Sequence, residues 1–204
     1  MKPKKCKVCL TTFEPKQFAQ CICSIPCAII HAKNLKTQKE QREWKVEKKI
    51  IKEKLKTLSE YVKDLQIEIN TIVRLIDKGH PCIATGSYNG KVNAGHYIGT
   101  LANPTIRFHL ENIWLQSEHS NTWKSGDTIR YQTGIIALFG KEYLDYMNSL
   151  QSIKPIKLTI EELKEKISIS RGIIKWLKLQ ERKFTIGERV ELRNKFNKEI
   201  GIYK

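Results

Sequence analysis

No stretch of this sequence approaches the roughly eighteen apolar residues that a membrane-spanning helix needs. The start, Met1-Lys2-Pro3-Lys4-Lys5-Cys6, is basic but lacks the apolar run of a secretory signal. Both absences point to the cytoplasm. Glycine and proline are scarce, 11 and 6 in 204 residues, and neither occurs between Lys33 and Lys78. That scarcity argues for a helix-rich protein with small β content. Acidic residues are also short, 21 against 37 Lys and Arg, which leaves a formal charge of +16. Such a surface attracts polyanions, nucleic acid above all, because each neutralised phosphate releases condensed counterions. A lysine-rich bias that merely aids solubility is the plainer alternative.

What is present is concentrated. Five of the six cysteines, Cys6, Cys9, Cys21, Cys23 and Cys27, fall in the first 27 residues, and Cys82 stands alone. Cytoplasmic thiols stay reduced, so disulfides do not explain them. Cys6-x2-Cys9 followed by Cys23-x3-Cys27 has the spacing of a four-thiolate structural zinc site, a treble-clef-like knuckle. Cys21 could replace Cys23, although the Cys-Ser-Ile-Pro-Cys spacing favours Cys23.

Residues 33 to 78 predict one long helix or two in line. Ile51, Leu55, Leu58, Val62, Leu65, Ile69, Ile72 and Ile76 alternate spacings of four and three, the seam of a helix pair. A homodimer through this helix and an intramolecular hairpin with the helix carrying Ile160 to Leu177 explain the seam equally well. The first half is almost wholly polar, and Lys45, Lys48 and Lys49 on it are candidate DNA contacts. Gly79-His80-Pro81 ends the helix. Short strands and turns are expected from 82 to 127, then a helix from Ile129 to Leu150 bent at Gly140. Thr159 and Glu162 form a capping-box signature for the next helix. The last twenty residues read as a basic tail with Val190 and Leu192 as its strand formers. The expected segments are thus a zinc knuckle (1–32), a long basic helix (33–78), a central segment (79–150), and a C-terminal helix with its tail (151–204).

The central segment carries Cys82-Ile83-Ala84-Thr85-Gly86, Asn93-Ala94-Gly95-His96-Tyr97, Arg107-Phe108-His109-Leu110-Glu111-Asn112-Ile113 and Gln116-Ser117-Glu118-His119-Ser120-Asn121, ending in Ser125-Gly126-Asp127. As an ordered set, together with Cys6-Lys7-Val8-Cys9 and Cys23-Ser24-x-Pro26-Cys27, these resemble the phage NinG proteins, also called Rap. The resemblance spans roughly residues 4 to 180. It implies a structure-selective, metal-dependent DNA endonuclease of the HNH type, acting on Holliday junctions and other branched DNA in a phage-infected or prophage-carrying bacterium.

Carried over, the resemblance implies a ββα-metal finger in residues 79–150. His96 would be the general base, Asn112 would hold the loop that aims it, and Asn121 would ligate a catalytic Mg²⁺ or Mn²⁺. His109 would help ligate that ion or touch DNA, and Arg107 and Lys124 would join the basic DNA contacts. The chain departs from the pattern where the family shows two further Cys-x2-Cys knuckles. Here Cys82 pairs with Thr85, and Ser117 with Ser120. One thiol cannot hold a structural zinc, so a single zinc per chain is expected. The aspartate expected near the catalytic His is Asn93. These losses support a second reading, a non-catalytic DNA-binding recombination accessory protein on a decayed HNH scaffold.

Overall fold

Residues 1–123 and 127–203 are described by the computed structural model. They are mainly helical with four short strands and divide into two compact units, Met1–Lys56 and Thr57–Lys204.

In the first unit β1 (Lys4–Lys5) pairs antiparallel with β2 (Thr12–Phe13). The turn between them is closed by Cys6 N–H to Thr11 O (2.9 Å) and Leu10 N–H to Cys6 O (3.0 Å), with Leu10 in the left-handed region at φ 61°. Helix α1 (Ile25–Lys54) starts where Ser24 caps it, its hydroxyl accepting from Cys27 N–H, and Pro26 fits the first turn. None of its 30 residues is buried within the unit. Trp44, Val46, Ile50 and Ile51 are all about half exposed or more. Its local support is slight: Lys36–Glu40 and Lys39–Glu43 are exposed pairs with Lys in the weaker, N-terminal position, about 0.3 kcal/mol each at most.

Of the two arrangements expected for residues 33–78, one helix or two, the structure has two. Thr57 forms a capping box with Glu60: each backbone N–H is bonded by the other's side chain. Here α2 (Leu58–Ile76) begins afresh. Thr-x-x-Glu was readable in the sequence, but the absence of Gly and Pro masked it. The seam is filled from within the chain. Leu65, Ile69, Ile72, Val73 and Ile76 pack with Leu163, Ile167, Ile173, Ile174 and Leu177 of α5 (Ile160–Lys178) in one buried cluster. The intramolecular hairpin therefore accounts for the α2 part of the seam, and Ile51 and Leu55 remain exposed.

Between α2 and α5 lie a β-hairpin and two helices. Strand β3 (Val92–His96) pairs antiparallel with β4 (Ile113–Ser117), in register from His96↔Ile113 to Val92↔Ser117. Helices α3 (Thr128–Phe139) and α4 (Lys141–Ser149) meet at Gly140, whose φ of 84° breaks the helix where a bend was expected. Trp114, Tyr131, Ile135, Leu144 and Met147 form a second buried cluster with Ile83 and Tyr97.

The C-terminal tail is a helix, correcting the strand-prone basic tail expected there. Thr185 and Glu188 form a third capping box, and α6 (Ile186–Ile200) ends at left-handed Gly201. Arg189, Arg193, Phe196, Asn197 and Ile200 share its inward face. The two arginines close on Asp77, which is fully buried just after α2. Arg189 Nε donates to one carboxylate oxygen (2.9 Å), and Arg193 Nη2 (2.7 Å) and Leu115 N–H (2.8 Å) to the other. Arg193 also donates to the Leu110, Ile113 and Arg189 carbonyls and lies 3.6 Å from the Trp114 ring centre. Burial alone would raise the Asp77 carboxyl, but the two guanidinium groups outweigh it and lower its pKa. A buried carboxylate so fully satisfied locks α2, β4 and α6 together, and stripping one partner from such a group costs about 3–5 kcal/mol.

Candidate functional site

The four sulfurs expected to bind zinc come together. Cys6, Cys9, Cys23 and Cys27 offer ligand atoms within 4.8 Å of one another, with Cys9–Cys23 at 3.5 Å and Cys23–Cys27 at 3.7 Å. Tetrahedral zinc with bonds of 2.3 Å sets its sulfurs roughly 3.8 Å apart, so the residues fit the ion. Cys21 lies outside the group and instead accepts Lys7 N–H on its carbonyl, which settles the choice left open by spacing. The electrostatics favour a cation. Backbone N–H groups, Cys9's first, lower the Cys6 pKa to about 6, and the Thr11 hydroxyl lowers that of Cys9. The Ser24 hydroxyl also favours a Cys23 thiolate, but the sulfurs of Cys9 and Cys6 outweigh it and push that thiol up to about 12. Four thiols this close cannot all ionise without a positive charge among them. A zinc ion could supply it.

The second candidate centre is built on the hairpin. Gly95 precedes His96 because nothing larger fits: a Cβ there would lie 2.1 Å from Gln116 Oε1 and 2.9 Å from Gln116 Cβ across the sheet. His96, half-buried at the end of β3, places its Nε2 2.8 Å from the Arg107 carbonyl. A carbonyl only accepts, so Nε2 carries the proton and the Nδ1 lone pair is left open. No described residue partners Nδ1. Burial lowers the His96 pKa, with the Arg107 charge adding to it against the carbonyl bond, so the ring is neutral near pH 7.

Asn112, fully buried, fastens the loop between the strands. Its Oδ1 accepts from Ile98 N–H (2.9 Å), its Nδ2 donates to Ile98 O (3.0 Å), and its carbonyl accepts from Tyr97 N–H (2.8 Å). Helix α3 braces the same strand, with Tyr131 OH donating to Gly95 O (2.9 Å) and Gln132 Nε2 to Tyr97 OH (2.7 Å). Gly134 lets this helix touch the 82–86 turn, since a Cβ there would meet Ile83 O at 1.8 Å.

Other expected residues stand apart. β4 leaves the hairpin opposite Val92, about 13 Å along the strand from His96. Asn121 follows in a single π turn, His119–Trp123. Among the described residues no second group of three His, Cys, Asp or Glu ligands gathers, so Asn121 has no such donor set around it. His109 is 5% exposed and turned inward, so its ring is not presented for a DNA contact. Asn197 Nδ2 lies 3.5 Å from its Nδ1, its ring stacks 4.8 Å from Tyr203, and burial lowers its pKa to about 4. Lys45, Lys48 and Lys49 are exposed on α1. Arg107 is half-buried, its Nε donating to Gln66 Oε1 (3.3 Å). Lys124 lies outside the described residues.

The degenerate knuckle is assembled without a metal set. Cys82 Sγ accepts from Ser117 N–H (3.2 Å), and Ser117 Oγ accepts from Ser120 N–H (3.2 Å). Burial raises the Cys82 thiol, but hydrogen bonds from Thr85 and Ser117 outweigh it and lower its pKa. Hydroxyls thus stand where the resemblance expects sulfurs.

Sequence reasoning assigned no role to Tyr131, Gln132, Asp77 or the α6 arginines. No local pattern marks them, since their partners lie 35 to 116 residues away.

Comparison with known proteins gives a consistent picture. Residues 1–181 match the family model described as Bacteriophage Lambda NinG protein. The chain is 32% identical over 180 residues to protein ninG of Enterobacteria phage H19B, covering 79% of this chain and 87% of that one. It is 31% identical over 165 residues to ninG of Escherichia phage 933W (72% and 80%). Over 117 residues it is 36% identical to ninG of Escherichia phage lambda (57% and 56%). No solved structure matches.

Proposed function

The chain belongs to the phage NinG family, and on that premise we propose that it is a structure-selective, metal-dependent DNA endonuclease of the HNH type, cutting branched recombination intermediates such as Holliday junctions. The observation that carries the reading is His96: a neutral, half-buried imidazole whose Nε2 is tied to the Arg107 carbonyl and whose Nδ1 is open. A base of that kind takes a proton from water at pH 7. The water oxygen then bonds to phosphorus as its proton passes to His96 Nδ1, the bridging P–O bond breaks, and the departing oxygen takes a proton from solvent. Asn112 and Tyr131 hold the backbone on either side of the base, which keeps its aim.

A hard divalent ion, Mg²⁺ or Mn²⁺, would lower the charge on the phosphate. Asn121 is its proposed ligand, and the described residues gather no group of three His, Cys, Asp or Glu around it. Exposed Lys45, Lys48 and Lys49 grip backbone phosphates by charge and shape rather than sequence.

Incubating the protein with a labelled four-way junction and Mg²⁺ or Mn²⁺ tests this. Cleavage is expected, and His96→Ala should lower its rate by roughly 10²–10⁴-fold with junction binding retained. Equal cutting by the variant would remove His96 from the reaction. The second reading, a DNA-binding accessory protein, rests on Asn93 standing where the family pattern has an aspartate; tight junction binding without product in either metal would select it.

A further inference from the structure

The family match ends at residue 181, yet the loop that orients His96 is held from beyond it. After α6, left-handed Gly201 turns the chain back, Ile202 is buried, and Tyr203 reaches the loop between β3 and β4. Its hydroxyl donates to the Thr105 carbonyl (2.9 Å) and accepts from the Phe108 N–H (3.1 Å). Thr105 and Phe108 stand three residues apart in a stretch whose own turn bonds run from Arg107 N–H to Pro104 O (3.4 Å) and from His109 N–H to Ile106 O (3.1 Å). The phenol bridges the pair that those bonds leave out. Burial pushes the Tyr203 pKa up, so the hydroxyl stays protonated and able to donate. Between the two bonded residues lies Arg107, whose carbonyl accepts from His96 Nε2.

We propose that Tyr203 is a positioning residue for His96: by bridging Thr105 and Phe108, its hydroxyl fixes the Arg107 carbonyl and with it the tautomer and aim of the imidazole. The inference rests on the nuclease reading only for its effect on catalysis. Its structural half stands separately. It also makes the segment beyond residue 181 a working part of the site.

Tyr203→Phe in the full chain removes one oxygen and keeps the ring against His109. Two NMR readouts need no activity. His96 should be a single Nε2–H tautomer in the unmodified protein and a mixture in the variant. The Phe108 amide should exchange with solvent at least about tenfold faster once its acceptor is gone. In the junction assay kcat should fall about tenfold with KM unchanged, and p-aminophenylalanine at position 203, which keeps a donor, should restore it.

An unmoved tautomer and a still-protected Phe108 amide in Tyr203→Phe would overturn the proposal, whether or not DNA is cut. A tautomer shift in a protein that never cuts DNA would leave the proposal standing and remove the nuclease reading. Should the variant fail to fold, the unmodified protein still decides: an unprotected Phe108 amide or an Nδ1–H His96 refutes the role.

Discussion

Two cysteine-bearing sites in this chain are held together in opposite ways. Around Cys6, Cys9, Cys23 and Cys27 all four sulfurs are kept, and the segment before α1 buries almost nothing else: only Cys6 and Pro15 are shielded from solvent. Around Cys82, Thr85, Ser117 and Ser120 there are one sulfur and three hydroxyls, and the turns are still joined, with Ile83 N–H bonded to Leu115 O (2.8 Å) and Cys82 N–H to Ser87 O (2.8 Å). The difference is the surroundings. The second site sits on Ile83, Trp114, Tyr131 and Ile135, all buried, and on the Asp77 cluster beneath β4. Where apolar burial and a satisfied ion cluster already fix the backbone, a metal cross-link is dispensable. Where a short segment has no core, it is the main source of folding energy.

Removing metal should separate the two sites most visibly. Analysis should find about one zinc per chain. A chelator, or Cys9→Ser, should unfold the knuckle, because zinc bound to such sites is worth on the order of 10 kcal/mol. The α2–α6 unit should melt as before. Two zinc ions per chain would show that the second site still holds metal and that the contrast is wrong.

Acid should act on the opposite unit. His109 has its pKa lowered by burial to about 4 in the fold, against the ordinary 6.5. The unfolded chain therefore binds the proton first as pH falls. Stability is full above pH 6.5 and declines between 6.5 and 4, by about 3 kcal/mol. Asp77, lowered as well, adds a loss at still lower pH. Denaturant midpoints measured across this window should fall with pH, and His109→Gln should flatten the slope. A slope unchanged by that substitution would place the acid sensitivity elsewhere.

The smallest effect belongs to the lone sulfur. Cys82→Ser keeps an acceptor for Ser117 N–H and should cost about 1 kcal/mol in thermal unfolding, with no change in zinc content. Loss of a metal ion on that substitution would restore Cys82 as a ligand.

Much of this was legible residue by residue. The cysteine spacing named the four sulfurs, the alternation of fours and threes from Leu65 to Ile76 named the face of α2 that packs, and Thr159 with Glu162 named the start of α5. The hairpin carrying His96 and the buried loop anchor Asn112 were also in view as a resemblance. The helix break at Thr57 was present as a local signal and passed over, and Thr185 with Glu188 likewise. The burial of His109 was not legible, because its sequence neighbours do not reveal that Asn197 and Tyr203 close over it.

The sequence determined whatever depends on neighbours along the chain: caps, helix faces, and a metal knuckle whose ligands lie within 22 residues. Only the tertiary structure decided which surface of each element is covered, and by what. Asp77 meets Arg193, and the His96 loop meets Tyr203, across separations of roughly a hundred residues. No periodicity records such pairs, because their energy comes from closing long loops onto a shared core.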